Sequence, residues 1–547
     1  TYQTNYDIFV FNFFSEDKKN LYETAIADYP VVSFLIINIA LAIALYFLIN
    51  FAVKKLKYTS AKPLISAVLS IILFLSFAVA TRGSLGTFPL RRENSQVSKN
   101  ITLNHLVANG AIALSWARKD KKNEMKMEPV DRNEFFNIQE QAIGTKSLYV
   151  KSTANESMSA VKPHIVVSIL EAFGSNFLSE HAPGNNLLGS LEQHFNSDFI
   201  FRNFLSTTND TAGSLYSLMF NSQNKNLALS AAAKTKVSFN FFDQYAKQGY
   251  KLVFMYPNNL MWQKLSNFLP YQGFINNVDE NIILDKYPEA RKYRSTRGVP
   301  DEYIYKEAQS LLKSSKQPLF IVILTTTNHP PYKYPASYKP LKVKPDDQFV
   351  KKLGANKKDA KNTMETYQYA ANSFGNFLSW VKKNIPNKVV VAGTGDHHMR
   401  RYHIEHPKGL ALGYLVPFYL YIPKPILDLN PYRYDPTRVG SHKDIFPTLL
   451  SFTMPGGKAL NVGGRNILAP INSQNFGYNT NLFIKNENIV SYATSDMIYK
   501  LGKNLETFEN PIAVNNPGLN KSIFKDAKAY KKFMDFVTNY QAKGFKD

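Results

Sequence analysis

Hydrophobic positions along this chain fall into two regimes. Near its start, "VVSFLIINIALAIALYFLINFAV", Val31 to Val53, runs 23 residues without a charge. As a helix it reaches about 34 Å, enough for a hydrocarbon core of about 30 Å. "LISAVLSIILFLSFAVAT", Leu64 to Thr81, is also uncharged; it covers roughly 27 Å, near the lower limit for spanning. Both exceed the apolar stretch of a signal peptide, about 7 to 15 residues, so two transmembrane helices are expected within residues 31–81. The second regime begins near residue 161. Short apolar runs there, rich in valine, isoleucine or aromatics, end in polar, reactive residues: "HIVVSIL" before Glu171, "YKLVFMY" before Pro257, "PLFIVIL" before "TTTNHPPY", "KVVV" before "AGTGDHH", "VPFYLYI" before Pro423. Between them, "TMETYQYAANSFGNFLSWVKK" repeats Tyr367, Ala370, Phe374, Phe377 and Val381 at helical spacing.

Strand alternating with helix predicts an α/β fold, a mainly parallel sheet covered by helices on both faces. Such a sheet collects function at the carboxyl ends of its strands, and Glu171, His329, Asp396 and His397 all fall at such ends. Four segments are expected. Residues 1–30 lie outside the membrane, 31–81 hold the two spans and a basic loop, 82–160 form a connector with some helix, and 161–547 form the catalytic domain. The loop carries Lys54, Lys55, Lys57 and Lys62, and short positive loops stay cytoplasmic. Residues after 81 are therefore expected on the outer side of the cell membrane, in the periplasm or its equivalent. The chain starts at Thr1; an outward N-terminus without a signal sequence predicts an odd number of further spans upstream.

The formal charge of +23 suits nucleic acid, an anionic membrane or a phosphorylated substrate, but no zinc-finger, RNA-recognition or basic-zipper pattern favours the first. There is no cysteine, which removes disulfides, thiolate metal sites and a cysteine nucleophile.

Chemistry concentrates in "GTGDHHMRRYHIEH", Gly393 to His406. A divalent ion used in phosphoryl chemistry takes hard oxygen donors, an imidazole, and an open position. Glu171, Asp396 and His397 supply such a set, and a hydroxyl of "STTNDTAGSL" completes it; spacing leaves Ser206, Thr207, Thr208, Thr211 and Ser214 open. His403, Glu405 and His406 read as a solvated loop.

Together these stretches resemble the lipoteichoic acid synthase and phosphoglycerol transferase group of the alkaline phosphatase superfamily, a sulfatase-like fold. "VVSILEAFGS" looks like its strand ending in a metal-binding glutamate, "NDTAGSL" like its nucleophile turn, "TTTNHPPY" like its substrate-histidine segment. "GTGDHH" looks like its metal-binding pair, and "SHKDIFPTLL" like a helix start near the end of the domain. "RGSLGTFPLR" and "GVPDEYIY" fit membrane-bound members. The resemblance implies one divalent metal on Glu171, Thr211, Asp396 and His397, most commonly manganese, with zinc and magnesium as alternatives. It also implies Thr211 as nucleophile, His329 as a catalytic and substrate-binding histidine, and Trp262 and Lys264 in the place of a Trp-x-Arg substrate contact. Lys264 departs from that pattern, as does Met255 where the family often has histidine.

The implied reaction moves phosphoglycerol, or a related headgroup, from a phospholipid donor to a glycan or lipid acceptor through a phosphothreonine. Rivals on the same fold are a phosphoethanolamine transferase and a sulfatase or phosphodiesterase. The usual sulfatase needs a C/S-x-P-x-R turn, and "TAGSL" has neither its proline nor its arginine. A two-metal phosphatase would need further ligands, for which His398, His406 and His442 are the sources. A non-catalytic envelope scaffold is the remaining rival, disfavoured by the complete Glu, Thr, Asp and His set.

Overall fold

The computed structural model describes residues 6, 10–11, 31–55, 62–82, 91–95, 97–98, 101–122, 124, 126–330, 332–405, 407–470, 475–493, 497–502 and 517–546. Lys57, His406 and most of "RGSLGTFPLR" lie outside the described residues. The chain divides into two compact units, Thr1–Asn123 and Glu124–Asp547.

In the first unit, helix α1, Val31–Lys55, ends in Lys54 and Lys55, cations that complement the negative end of a helix. Helix α2 is Pro63–Arg82. Both expected helices are present. Among the described residues one, Val32–Lys55, is long and apolar enough to cross a membrane, while the apolar part of α2, Pro63–Val79, is shorter. The helical stretch expected in the connector is split into Ile101–Val107 and Gly110–Lys122. Asn109 causes the break by accepting from the Ile112 N–H at 2.9 Å, which caps the second piece.

The second unit starts earlier than residue 161. Its first helix, Arg132–Ile143, is capped by Asp131 and ends at Gly144 in the left-handed region. Phe135 and Ile138 of this helix share one apolar cluster with Tyr530, Phe533 and Val537 of the last helix, Pro517–Lys543.

At the centre of this unit lies a six-stranded sheet: β1 His164–Leu170, β2 Phe199–Phe201, β3 Lys251–Met255, β4 Leu319–Leu324, β5 Val389–Gly395 and β6 Phe418–Tyr421. Their spatial order is β2-β6-β5-β1-β4-β3. Strands β3, β4, β1 and β5 run parallel, whereas β6 is antiparallel to β5 and to β2. The five apolar runs named above form five of these strands. β2 is the sixth, too short at three residues to show periodicity.

The runs are almost wholly apolar because these strands are buried on both faces along most of their length. Ile165, Val167, Ile169, Phe320, Val322 and Leu324 enter one cluster, whereas Val166, Leu170, Leu319, Ile321 and Ile323 enter the other. That division is the two-residue period of a strand. On the first face lie α3, Thr211–Phe220, through Leu215 and Met219, and beyond it Leu449 and Phe452 of Ile445–Thr453. The second face takes α4, Asp301–Ser314, through Ile304 and Ala308, and α5, Lys357–Asn384, through Phe374, Phe377 and Val381. Each such fully buried side chain contributes roughly 1.5–3 kcal/mol. A second, antiparallel sheet of Phe476–Asn479, Leu482–Lys485, Asn488–Ser491 and Ile498–Lys500 follows.

Candidate metal centre

Parallel pairing brings the reactive residues level. Leu170 is in register with Gly395, so the next residues, Glu171 and Asp396, emerge side by side from β1 and β5. Backbone bonds hold that edge: Asp396 N–H donates to Leu170 O at 3.1 Å and Thr325 N–H to Ile169 O at 2.9 Å. The Asp396 carboxylate also binds its surroundings, since Oδ1 accepts from the N–H of Ala172 at 2.8 Å and of His397 at 2.7 Å. A side chain on Gly395 would overlap the Phe173 carbonyl oxygen, so glycine there lets the chain after β1 pass close to β5.

Thr211 arrives from the first face of the sheet as the first residue of α3. Asp210 caps this helix, its side chain accepting from Gly213 N–H at 2.9 Å. The Thr211 hydroxyl lies 3.3 Å from Glu171 Oε2 and 3.3 Å from His397 Nε2. Around the same point, His397 Nε2 is 3.3 Å from Asp396 Oδ2 and 3.7 Å from Glu171 Oε1. The three ligand atoms of Glu171, Asp396 and His397 fall within 4.8 Å of one another, and all three residues are buried.

This donor set fits a divalent cation. His397 Nδ1 is 2.8 Å from the His398 carbonyl oxygen; a carbonyl only accepts, so Nδ1 carries the proton and Nε2 of the neutral ring presents a lone pair. Such a bond from the far ring nitrogen is the usual support of a ligating histidine. Asp396 Oδ2 is wholly buried without a hydrogen-bond partner among the described residues, a state that costs free energy unless a positive ligand meets it. Burial, and then the Asp396 charge, push the Glu171 carboxyl well above the ordinary range, while Arg400, the Thr211 hydroxyl and Arg297 pull it back. Four donors crowded about one point describe a site that a cation stabilises.

His329, on the loop after β4, is pushed down to about 4, first by burial and further by Arg297 and Arg400. Its Nδ1 donates to Pro330 O at 3.0 Å, which leaves Nε2 as an acceptor. This loop is braced by Asp301 at the start of α4, whose carboxylate accepts from the N–H groups of Thr326 and Thr327 at 3.0 and 3.2 Å. Asn328 clips it to β1 by donating to Glu171 O at 3.2 Å.

Of the five hydroxyls that spacing left open, Thr211 meets the acidic cluster. Ser206 donates to Thr208 O at 2.9 Å, Thr208 to Asp210 O at 3.0 Å and Ser214 to Thr208 O at 3.2 Å, all within the turn. Trp262 and Lys264 lie on the loop after β3, at the same edge of the sheet. The Trp262 ring centre is 5.6 Å from that of Tyr256, and Trp262 makes no hydrogen bond to the four residues of the centre. Lys264 is buried with a left-handed backbone, φ 52°. Tyr216 of α3 donates to Gln263 O at 3.5 Å, tying this turn to the helix that carries Thr211. Met255 is fully buried in the second-face core.

His442 is not available as a ligand to a second metal. Its Nε2–H donates to Gly395 O at 3.0 Å and its Nδ1 accepts from Thr207 N–H at 3.3 Å, so it braces β5 from behind. His398 contributes its carbonyl to His397, and His403 is exposed. Among the described residues, Glu171, Asp396 and His397 are the one cluster of three such side chains. Sequence reasoning missed Arg297, Arg400, Asp301 and Asn328, whose signal is spatial: they meet the site from three separate loops.

The pattern of the Sulfatase family matches residues 163–454, just over half of the chain. Among solved structures, the fold is similar to a protein of the alkaline phosphatase superfamily from Vibrio parahaemolyticus, at 18% identity and TM-score 0.57, covering 75% of this chain and 97% of that one. It is similar also to the lipoteichoic acid synthase LtaP from Listeria monocytogenes, at 17% identity and TM-score 0.56, covering 75% of this chain and 99% of that one.

Proposed function

This chain belongs to the sulfatase family, and we infer that it is a membrane-anchored, metal-dependent transferase that moves a phosphoglycerol or related headgroup from a phospholipid to a glycan or lipid acceptor. The observation that carries this reading is the meeting of the Thr211 hydroxyl with Glu171 and His397 at 3.3 Å, beside a buried Asp396. The phosphoglycerol class draws support from the order of the five motifs and from a lipoteichoic acid synthase among the matching folds. Helix α1 supports a membrane anchor; with the lysines at its end on the cytoplasmic side, a second crossing by α2 would put the catalytic unit on the outer side.

Glu171, Asp396, His397 and Thr211 would hold the ion, manganese in this reading. When bound, such an ion favours the ionised hydroxyl and offsets charge on phosphoryl oxygens. Thr211 then forms the new oxygen–phosphorus bond as the ester to diacylglycerol breaks, and the Thr211 proton ends on the diacylglycerol oxygen. In the second half, the acceptor hydroxyl attacks the phosphothreonine, and its proton returns to Thr211. The first turn of α3 supplies a positive helix end beside Thr211, which suits an anionic substrate. His329, neutral with a free Nε2, is equipped to relay the acceptor proton. A formylglycine sulfatase is disfavoured by the absence of cysteine and of the required turn.

Incubating the full chain with phosphatidylglycerol and phosphatidylethanolamine, each labelled in the headgroup, tests the reading. Release of diacylglycerol with label on Thr211 is expected. Label passing only to water would make the protein a hydrolase, and no label leaving either lipid would overturn the assignment.

A further inference from the structure

Arg297 stands on a turn tied down on three sides. Ser295 and Gly298 close it by N–H to carbonyl bonds in both directions, at 2.9 and 3.1 Å, and Val299 N–H donates to Pro257 O at 2.8 Å. The Thr326 hydroxyl donates to Arg297 O at 2.9 Å. Gly298 has φ +90°, and a side chain there would overlap the Pro257 carbonyl oxygen, so only glycine allows so close an approach.

Backbone, not a carboxylate, therefore sets the position of this guanidinium. Arg297 is half-buried, and among the described residues no acid forms an ion pair with it. Its Nε donates to Pro330 O at 3.4 Å, the same oxygen that accepts from His329 Nδ1 at 3.0 Å. One carbonyl thus holds the guanidinium and the imidazole side by side. Both line a single pocket together with Ser295, Thr326, Thr327 and Lys333. A half-buried arginine that forms no ion pair among the described residues, its charge reaching Glu171 only at longer range, and walled by hydroxyls and a lysine, suits an anion from a ligand.

We propose that this pocket is an acceptor subsite: Arg297, with Lys333 at its rim, takes a negatively charged group carried by the alcohol that receives the transferred phosphate, placing that alcohol's hydroxyl against His329 Nε2. The proposal rests on the transferase reading above. In the step it serves, the acceptor oxygen bonds to phosphorus, the bond from phosphorus to Thr211 breaks, and the acceptor proton passes through His329 to the freed Thr211 oxygen. The subsite makes a phosphate- or carboxylate-bearing alcohol the favoured acceptor over a neutral one.

The test uses the full chain in lipid with headgroup-labelled phospholipid, and three acceptors of one skeleton: glycerol, glycerate and glycerol 3-phosphate. Wild type is expected to prefer the charged acceptors to glycerol by about tenfold or more, and their relative rates say whether phosphate or carboxylate is read. Arg297→Gln should lower transfer to them at least about tenfold. Transfer to glycerol should fall by a clearly smaller factor, so that the ratio of charged to neutral acceptor use drops. Arg297→Lys, which keeps the charge without the fork, should fall between. Equal use of all three acceptors by wild type, or equal loss of glycerol transfer in Arg297→Gln, would overturn the subsite. Failure of wild type to load Thr211 would instead remove the transferase reading. Calorimetric binding of glycerol 3-phosphate to wild type and Arg297→Gln then decides the subsite by itself, and equal affinity overturns it.

Discussion

The hydroxyl of Thr211 lies 3.3 Å from Nε2 of His397, although the two residues are 186 positions apart in the sequence. Thr211 opens a helix packed on one face of the sheet; His397 follows a central strand. An imidazole, two carboxylates and a hydroxyl gathered about one point form a donor set that suits a divalent cation, and the first predictions follow from the proposal that they hold one.

Thr211→Ala should abolish transfer, by about a thousandfold or more, with an unchanged melting transition, because Thr211 opens the helix without capping it; Asp210 does that. Thr211→Ser should keep part of the activity. Thr207→Ala and Ser214→Ala should keep most of it. Mass spectrometry of protein trapped with donor lipid should find the phosphorylated residue at 211; a different position would reassign the nucleophile.

Asp396→Ala, Glu171→Ala and His397→Ala should each lower metal affinity by at least about a hundredfold. Elemental analysis after gel filtration is the measurement. One ion per wild-type chain is expected, and one ion per Asp396→Ala chain would count against the centre.

His442→Ala should leave metal stoichiometry at one while costing about 2–4 kcal/mol of stability. It removes a buried ring and leaves Gly395 O and Thr207 N–H without their partner. Urea unfolding measures the cost, and loss of metal without loss of stability would make His442 a ligand after all.

His329 titrates near 4 because burial disfavours its cation. Its folded pKa lies below the unfolded value of 6.5. Its contribution to stability is therefore fully present above pH 6.5 and is lost as pH falls through about 4. An NMR titration of His329 should show the low midpoint, and its ring should leave no inflection in kcat/KM near pH 6.5.

Gly298→Ala should destabilise the domain by about 1–3 kcal/mol, since alanine strains at φ +90° and meets the Pro257 carbonyl. Thermal unfolding checks this. Arg297 should be displaced with the turn, so preference among acceptors should fall alongside stability.

Much of this was legible from residues alone. Five of the six central strands announce themselves as unbroken apolar runs, since a strand covered on both faces has no polar positions to alternate. Chemistry at their ends is equally readable, because a parallel sheet aligns its carboxyl ends at one edge. The C-terminal four-stranded sheet was not legible: its strands, three or four residues each, are too short for a period to declare itself. Nor was the earlier start of the second unit, where Arg132–Ile143 owes its place to the last helix of the chain.

The sequence by itself determined the fold class and the apolar segment long enough to span a membrane, and it pointed to Glu171, Asp396 and His397 at neighbouring strand ends, which the structure brings together, because each depends on local composition and strand position. Spacing left five hydroxyls open and only the family resemblance named Thr211; the physical reason lies in the tertiary structure, where the helix capped by Asp210 brings the Thr211 hydroxyl to the acids while Ser206, Thr208 and Ser214 bond within the turn. The role of His442 was likewise decided only in three dimensions, for a histidine's two nitrogens reveal their task only through the partners they meet. Arg297 shows the same limit. Its charge is plain in the sequence, but its place beside His329 comes from a carbonyl and a glycine turn brought together by three loops.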